Sequence, residues 1–328
     1  MAEKIYDMTI IGGGPVGIYG AFYGGMQGLD INLVDSLPQL GGQLAALYPE
    51  KFIYDLPGHG KIRAGEMVDQ LVQQMDNYSE KVNKSVGNSV QNIEKLEDNT
   101  FRITTDNDTH IARSVLVTAG NGAFSPRKLD GDTGEYGNIH YFVPKMDEFT
   151  GKNVVIFGGG DSAVDWALML EPIAKSVTIV HRRNEFRAHA GSVDKLKASS
   201  VNIVTPAVVS SLTGENGVVT QVAIENVDTK EVSNFEVDDI IALFGFVSSL
   251  GPIKTWGLEL DKTALRVDSK HQTNISGVYA AGDAASFDGK IKMITAGFGE
   301  AVVAINAAKA YAYPDRVHRH THSSAIGK

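Results

Sequence analysis

The sequence predicts an α/β protein of two doubly wound, mostly parallel-sheet domains, each carrying a small β-meander. Three observations lead there. An apolar run, a glycine-rich turn and a small-residue helical stretch follow one another twice, in residues 5–28 and again in residues 153–170. Each time a second apolar run comes next, so both copies read as strand–turn–helix–strand units. The later elements of each copy also recur in the same order, which marks one long fold duplicated and not a solenoid.

The first copy opens with the strand Ile5 to Ile11 and the turn Gly12-Gly13-Gly14-Pro15-Val16-Gly17. A helix through Gly28 and a strand from Ile31 to Asp35 follow. Val90 to Leu96, Phe101 to Thr105 and His110 to Ala112 form the meander, separated by the turn-type segments Glu97–Thr100 and Asp106–Thr109. Ser114 to Gly120 is a buried strand ending on glycine.

In the second copy, Asn153 to Phe157 leads into Gly158-Gly159-Gly160-Asp161-Ser162-Ala163. A helix to about Leu170, the strand Ser176 to Val180, a meander over Val218–Asn226 and Val232–Val237, and the strand Asp239 to Gly245 complete it. From about Val247 no third copy begins. The strand-like Gly277–Ala284 and the helix-like Gly299–Tyr311 are expected to return to the first domain. That gives a discontinuous domain of residues 1–117 with 247–328, interrupted by a domain of residues 118–246. Glycines at both crossings suit a hinge.

Composition narrows the function classes. The chain has 328 residues, 43% hydrophobic and 21% charged, with a net charge of −9. Those are the proportions of an ordinary globular protein, and the acidic balance argues against nucleic-acid binding. No apolar run approaches the roughly 20 residues that span a bilayer, and the N-terminus lacks the pattern of a secretory signal. A cytoplasmic location is expected. The chain contains no cysteine, so it offers no dithiol, iron–sulfur cluster or Cys-ligated zinc. Electron-transfer chemistry would require a bound organic cofactor.

Gly12, Gly14 and Gly17 form a GxGxxG between a strand and a helix. The first glycine permits the tight turn, the second lets pyrophosphate approach, and the third lets helix and strand pack closely. Asp35 closes the next strand, ~20 residues on, where a carboxylate takes the ribose hydroxyls of a Rossmann-like dinucleotide site. Gly158, Gly160 and Ala163 make the second fingerprint. The strand after that helix ends in His181-Arg182-Arg183, with Arg187 close behind. Guanidinium groups there bind a 2′-phosphate that a carboxylate would repel. The two signatures indicate FAD in the first half and NADP(H) in the second, with hydride passing between them.

These fingerprints, with Gly41-Gly42-Gln43-Leu44 and Gly282-Asp283, resemble the low-molecular-weight thioredoxin reductases. Where that family carries its CxxC, this chain reads YFVPKMDEFTGKN (residues 141–153). The departure, together with Ala45 to Lys51 and Gly120 to Arg127, is similar to the thioredoxin-reductase-like bacterial ferredoxin–NADP⁺ reductases. The resemblance covers essentially the whole chain. It implies Asp35 at the adenosine ribose, Gln43 and Tyr48 at the flavin, and Val90 at the adenine. It also implies Phe124 against the FAD, Asp283 at the ribityl chain, and the helix after Thr295-Ala296-Gly297 aimed at the flavin. From the tail, His322 would cover the second flavin face, with Ser324 close to it. The histidines of that tail are not read as a metal site. The implied partner of the homodimer is ferredoxin or flavodoxin, steered by Lys51, Lys61, Arg63, Lys290 and Lys292. The same flavin could instead serve a partner's disulfide, a quinone or oxygen, and a non-catalytic dinucleotide sensor is a further alternative.

Overall fold

A computed structural model describes residues 4–143 and 145–316. The chain divides into two compact units, residues 1–124 with 248–328 and residues 125–247.

The first unit is built on a five-stranded parallel sheet. Its order is Val278–Ala280, Val115–Val117, Met8–Ile11, Ile31–Asp35 and Val82–Val86. Both faces are covered, so all but the edge strand Val82–Val86 are largely apolar runs without strict alternation. Met8, Ile10, Ile31, Leu33 and Leu116 face one way, toward a core shared with Ile18, Met67, Met75 and Ile305. That core packs helices Pro15–Met26, Ala64–Asp76 and Ile294–Ala312 onto the sheet. Ile11, Val34, Val115, Val117 and Val278 face the other way, toward Ile93, Phe101 and Ile103 of the meander. Burying each such side chain contributes about 1.5–3 kcal/mol.

The segment Ile5 to Ile11 is two strands, not one. Ile5–Tyr6 pairs with Ile111–Ala112 in the meander sheet, whereas Met8–Ile11 enters the parallel sheet. The break is at Asp7, whose buried carboxylate accepts hydrogen bonds from the Asp30 N–H at 3.0 Å and from the Tyr313 hydroxyl. The C-terminal segment does return: Val278–Ala280 is an outer strand of this sheet, and the final helix is Ile294–Ala312, longer than the apolar pattern suggested. The first crossing between units lies between Phe124 and Ser125, not after residue 117. Thr118 holds the intervening stretch in the first unit, its hydroxyl donating to the Gly12 carbonyl at 2.7 Å.

The second unit repeats the plan. Its parallel sheet runs Ile139–His140, Asp239–Ala242, Asn153–Phe157, Ser176–Val180 and Asn202–Val204. Helix Asp161–Leu170 buries Val164, Trp166 and Leu170 against one face. An antiparallel meander of Ala207–Glu215, Val218–Asn226 and Val232–Glu236 adds Val219, Val222 and Ile224 to the core on the other. Its first strand was not expected from the sequence. No helix among the described residues is long and apolar enough to cross a membrane.

Candidate functional site

The strand order of the first unit reverses between Met8–Ile11 and its neighbours, and ligands bind such sheets at the carboxyl ends of the strands beside that reversal. The glycine turn lies there. Gly12 has φ +111°, and a Cβ on it would come within 2.7 Å of the Thr118–Ala119 backbone. A Cβ on Gly17 would lie 1.8 Å from the Gly12 carbonyl oxygen. These two glycines are needed for packing. Gly14, by contrast, has nothing within 4 Å of where a Cβ would stand. Gly14 is the N-cap of helix Pro15–Met26, whose start carries no side-chain cap, the geometry that admits an anion.

A cavity of about 350 Å³ opens at this point, within the ~300–1,000 Å³ typical of small-molecule sites. It brings together Gly12, Gly14, Asp35, Gln43, Tyr48, Val90 and Asp283, far apart in sequence. Asp35 is 8% exposed. Its carboxylate accepts from the backbone N–H groups of Gly13 and Leu37 and retains lone pairs for further donors. Burial raises its pKa above the usual carboxylate value, against the pull of those two hydrogen bonds. Gly41–Gly42 sits against the first turn, with the Gly41 N–H bonded to the Gly13 carbonyl at 2.8 Å, and so carries Gln43 to the cavity. Burial, with the Asp283 charge adding to it, raises the Tyr48 phenol as well. The N-terminus of helix Ile294–Ala312 completes the wall through Lys292, Met293 and Ile294. No side chain caps that helix, so its first N–H groups and its positive dipole end remain available.

Sequence reasoning missed several lining residues. Trp256 is one, fixed by its indole N–H to the Gln91 carbonyl at 3.0 Å, and Leu250 to Ile253 are others. They come from a loop with no strand-or-helix signature. Lys290 needs correction as a partner-steering residue. Its side chain is 9% exposed and paired with Glu300. Arg63 pairs with Glu50. Among the described residues no cluster of three His, Asp or Glu groups could hold a metal ion. The Phe124 side chain, His322 and Ser324 lie outside the described residues.

The second unit has the matching turn. Gly158, at φ +150°, would place a Cβ 2.6 Å from the Leu243 carbonyl oxygen. Gly160 is open on its Cβ side and begins helix Asp161–Leu170, in which Ala163 is fully buried. The basic loop folds back onto this turn, with the Arg187 N–H bonded to the Gly159 carbonyl at 2.6 Å. Arg182, Arg183 and Arg187 are exposed, and none has a carboxylate partner among the described residues. His181 differs from them. Its ring stacks on Phe186 with centroids 5.4 Å apart and lies directly under Gly159. Burial lowers its pKa, and the three arginines lower it further. Its ring thus packs beneath the turn, while Arg182, Arg183 and Arg187 are the exposed cations of the loop.

A family model described as pyridine nucleotide-disulphide oxidoreductase matches residues 6–308. The chain belongs to that family. It is 51% identical over 327 residues to a ferredoxin–NADP reductase of Geobacillus thermodenitrificans, covering 99% of this chain and 98% of the relative. It is 52% identical, with the same coverage, to the ferredoxin–NADP reductase of Geobacillus kaustophilus. Among solved structures, the thioredoxin reductase of T. acidophilum is similar at a TM-score of 0.75 and 26% identity, over 94% of this chain and 99% of that one. The fold is thus thioredoxin-reductase-like, with two Rossmann-like units. The chain itself contains no cysteine.

Proposed function

We propose that this chain is a ferredoxin–NADP⁺ reductase that binds FAD on its first unit and NADP(H) on its second. The observation that carries the reading is the contrast between two otherwise similar glycine turns. One is followed by a buried, hydrogen-bonded carboxylate at Asp35, the other by the arginines 182, 183 and 187. Near-full-length similarity to ferredoxin–NADP reductases supports it.

In this reading, Gly14 and the helix start beyond it receive the FAD pyrophosphate, Asp35 the adenosine ribose, and Val90 the adenine. Gln43 and Tyr48 serve the isoalloxazine, and Asp283 the ribityl chain. Gly160 receives the NADP(H) pyrophosphate, and Arg182, Arg183 and Arg187 its 2′-phosphate. Bound flavin supplies the chemistry that joins a two-electron nicotinamide to a one-electron carrier. The chain's own part is to orient both dinucleotides and to offer an uncapped helix start where negative charge is stabilised. With no thiol in the chain, electrons leave from the flavin site to a small redox protein, ferredoxin or flavodoxin. Exposed Lys61 and Lys292 would attract an acidic partner. The enzyme acts as a cytoplasmic homodimer.

Steady-state assays with NADPH against ferredoxin, flavodoxin, quinones and low-molecular-weight disulfides test this. Turnover with ferredoxin or flavodoxin is expected. Turnover with a disulfide alone would overturn the assignment.

A further inference from the structure

Beneath the Gly282–Asp283 turn lies an ion pair that neither glycine fingerprint calls for. Lys290 Nζ is 2.5 Å from Glu300 Oε1, with the two side chains 9% and 8% exposed. The second carboxylate oxygen of Glu300 accepts from the Gly282 N–H at 2.8 Å. Gly282 has φ +69° and begins the short turn that brings Asp283 to the cavity. Glu300 belongs to the helix whose first residue, Ile294, lines the same cavity. One buried carboxylate therefore ties together two walls of the site. The Phe287 ring lies 5.5 Å from Lys290 Nζ, and His271 meets that ring edge-on at 5.2 Å.

A buried pair of this kind is a poor way to stabilise a fold, because the desolvation of both charges roughly offsets their attraction. Apolar residues of the same volume would fill the space equally well. They would not hold the Gly282 N–H, which would then be buried without an acceptor. What the pair adds is the setting of the turn.

We propose that Glu300, held by Lys290, is a positioning residue that fixes the Gly282–Asp283 turn against the C-terminal helix and so presents Asp283 to the bound flavin. This rests on the FAD reading above.

The test uses the full chain, stripped of flavin and titrated with FAD. FAD affinity, the visible flavin spectrum and the thermal midpoint of the apoprotein are measured. Lys290→Met/Glu300→Leu removes both charges and the acceptor, and it is expected to fold, with a lower apoprotein midpoint from the unpaired Gly282 N–H. Its FAD affinity should fall by about ten-fold or more, with a shifted flavin spectrum. Lys290→Met/Glu300→Gln, whose amide oxygen can again accept from Gly282, should recover most of that loss. If the Leu variant binds FAD within about two-fold of the parent chain, the positioning role is wrong. It is equally wrong if the Gln variant binds no better than the Leu variant. If the unaltered chain binds no FAD at all, it is the underlying functional reading that fails.

Discussion

Gly13 and Asp35 are joined by a hydrogen bond from the backbone N–H of the first to the carboxylate of the second, which locks the glycine turn to the end of the neighbouring strand. The burial of Asp35 has a consequence for pH, which this bond opposes without cancelling. Burial raises the Asp35 pKa above 3.8, so the charged form is penalised in the folded apoprotein. That penalty is present above the raised value and disappears as pH falls below it. Ribose hydroxyls donating to the carboxylate favour its charged form. FAD binding should therefore weaken as pH falls from neutrality toward 3.8. Asp35→Asn should flatten this dependence and weaken binding at neutral pH by about ten-fold. FAD titrations across that range, with both proteins, check it.

Gly14 and Gly17 should respond differently to the same substitution. Gly17→Ala drives a methyl group into the Gly12 carbonyl, so the turn must shift and apoprotein stability should fall by about 1–3 kcal/mol. Gly14→Ala meets no protein atom, so the apoprotein should melt normally while FAD binding is impaired. Melting curves and flavin content of the two variants separate packing from ligand approach.

The exposed arginines of the second unit predict a coenzyme preference. Arg183→Ala or Arg187→Ala should raise the KM for NADPH by about ten-fold and leave that for NADH nearly unchanged. Solvent exposure keeps the effect of each below that of a buried pair. Initial-rate kinetics with both coenzymes provide the check.

Asp239 is a buried acid-sensitive point of the second unit. It is buried at the end of a central strand and accepts from His140 at 2.6 Å and Lys152 at 2.8 Å. Burial alone would raise its pKa, but those two partners outweigh it and the net shift is downward. A depressed carboxylate contributes stability above its unfolded value of 3.8, and that contribution is lost as pH falls through the folded value. Asp239→Asn should cost about 1–3 kcal/mol at neutral pH, less than a fully buried pair because Lys152 and His140 can regain water. The cost should vanish in strong acid. Denaturant unfolding at the two extremes of pH measures both values.

The two glycine turns, the acid at Asp35 and the arginine run were legible because each is a local pattern with a fixed geometric purpose. The parallel strands were legible because burial on both faces leaves unbroken apolar runs. Other features depend on distant partners. Nothing in residues 5–11 shows that Asp7 divides the strand, since its partners Asp30 and Tyr313 are remote. Edge strand Val82–Val86 carries Asn83, Lys84 and Ser85 and reads as a polar loop until it pairs with Ile31–Asp35. Lys290 resembles any surface lysine in sequence, and only the folded helix brings Glu300 to it. His181 reads in sequence like its arginine neighbours, and only the fold shows its ring stacked on Phe186 and packed under Gly159.

The most direct test is spectroscopic. The purified chain, reconstituted with FAD, is mixed with a single equivalent of NADPH in the absence of oxygen, and an excess of oxidised ferredoxin, a one-electron carrier, is then added. The visible flavin band should bleach on the first addition and return on the second, as electrons pass to the carrier. A chain that takes up no FAD, or whose flavin stays oxidised with NADPH present, would contradict the account.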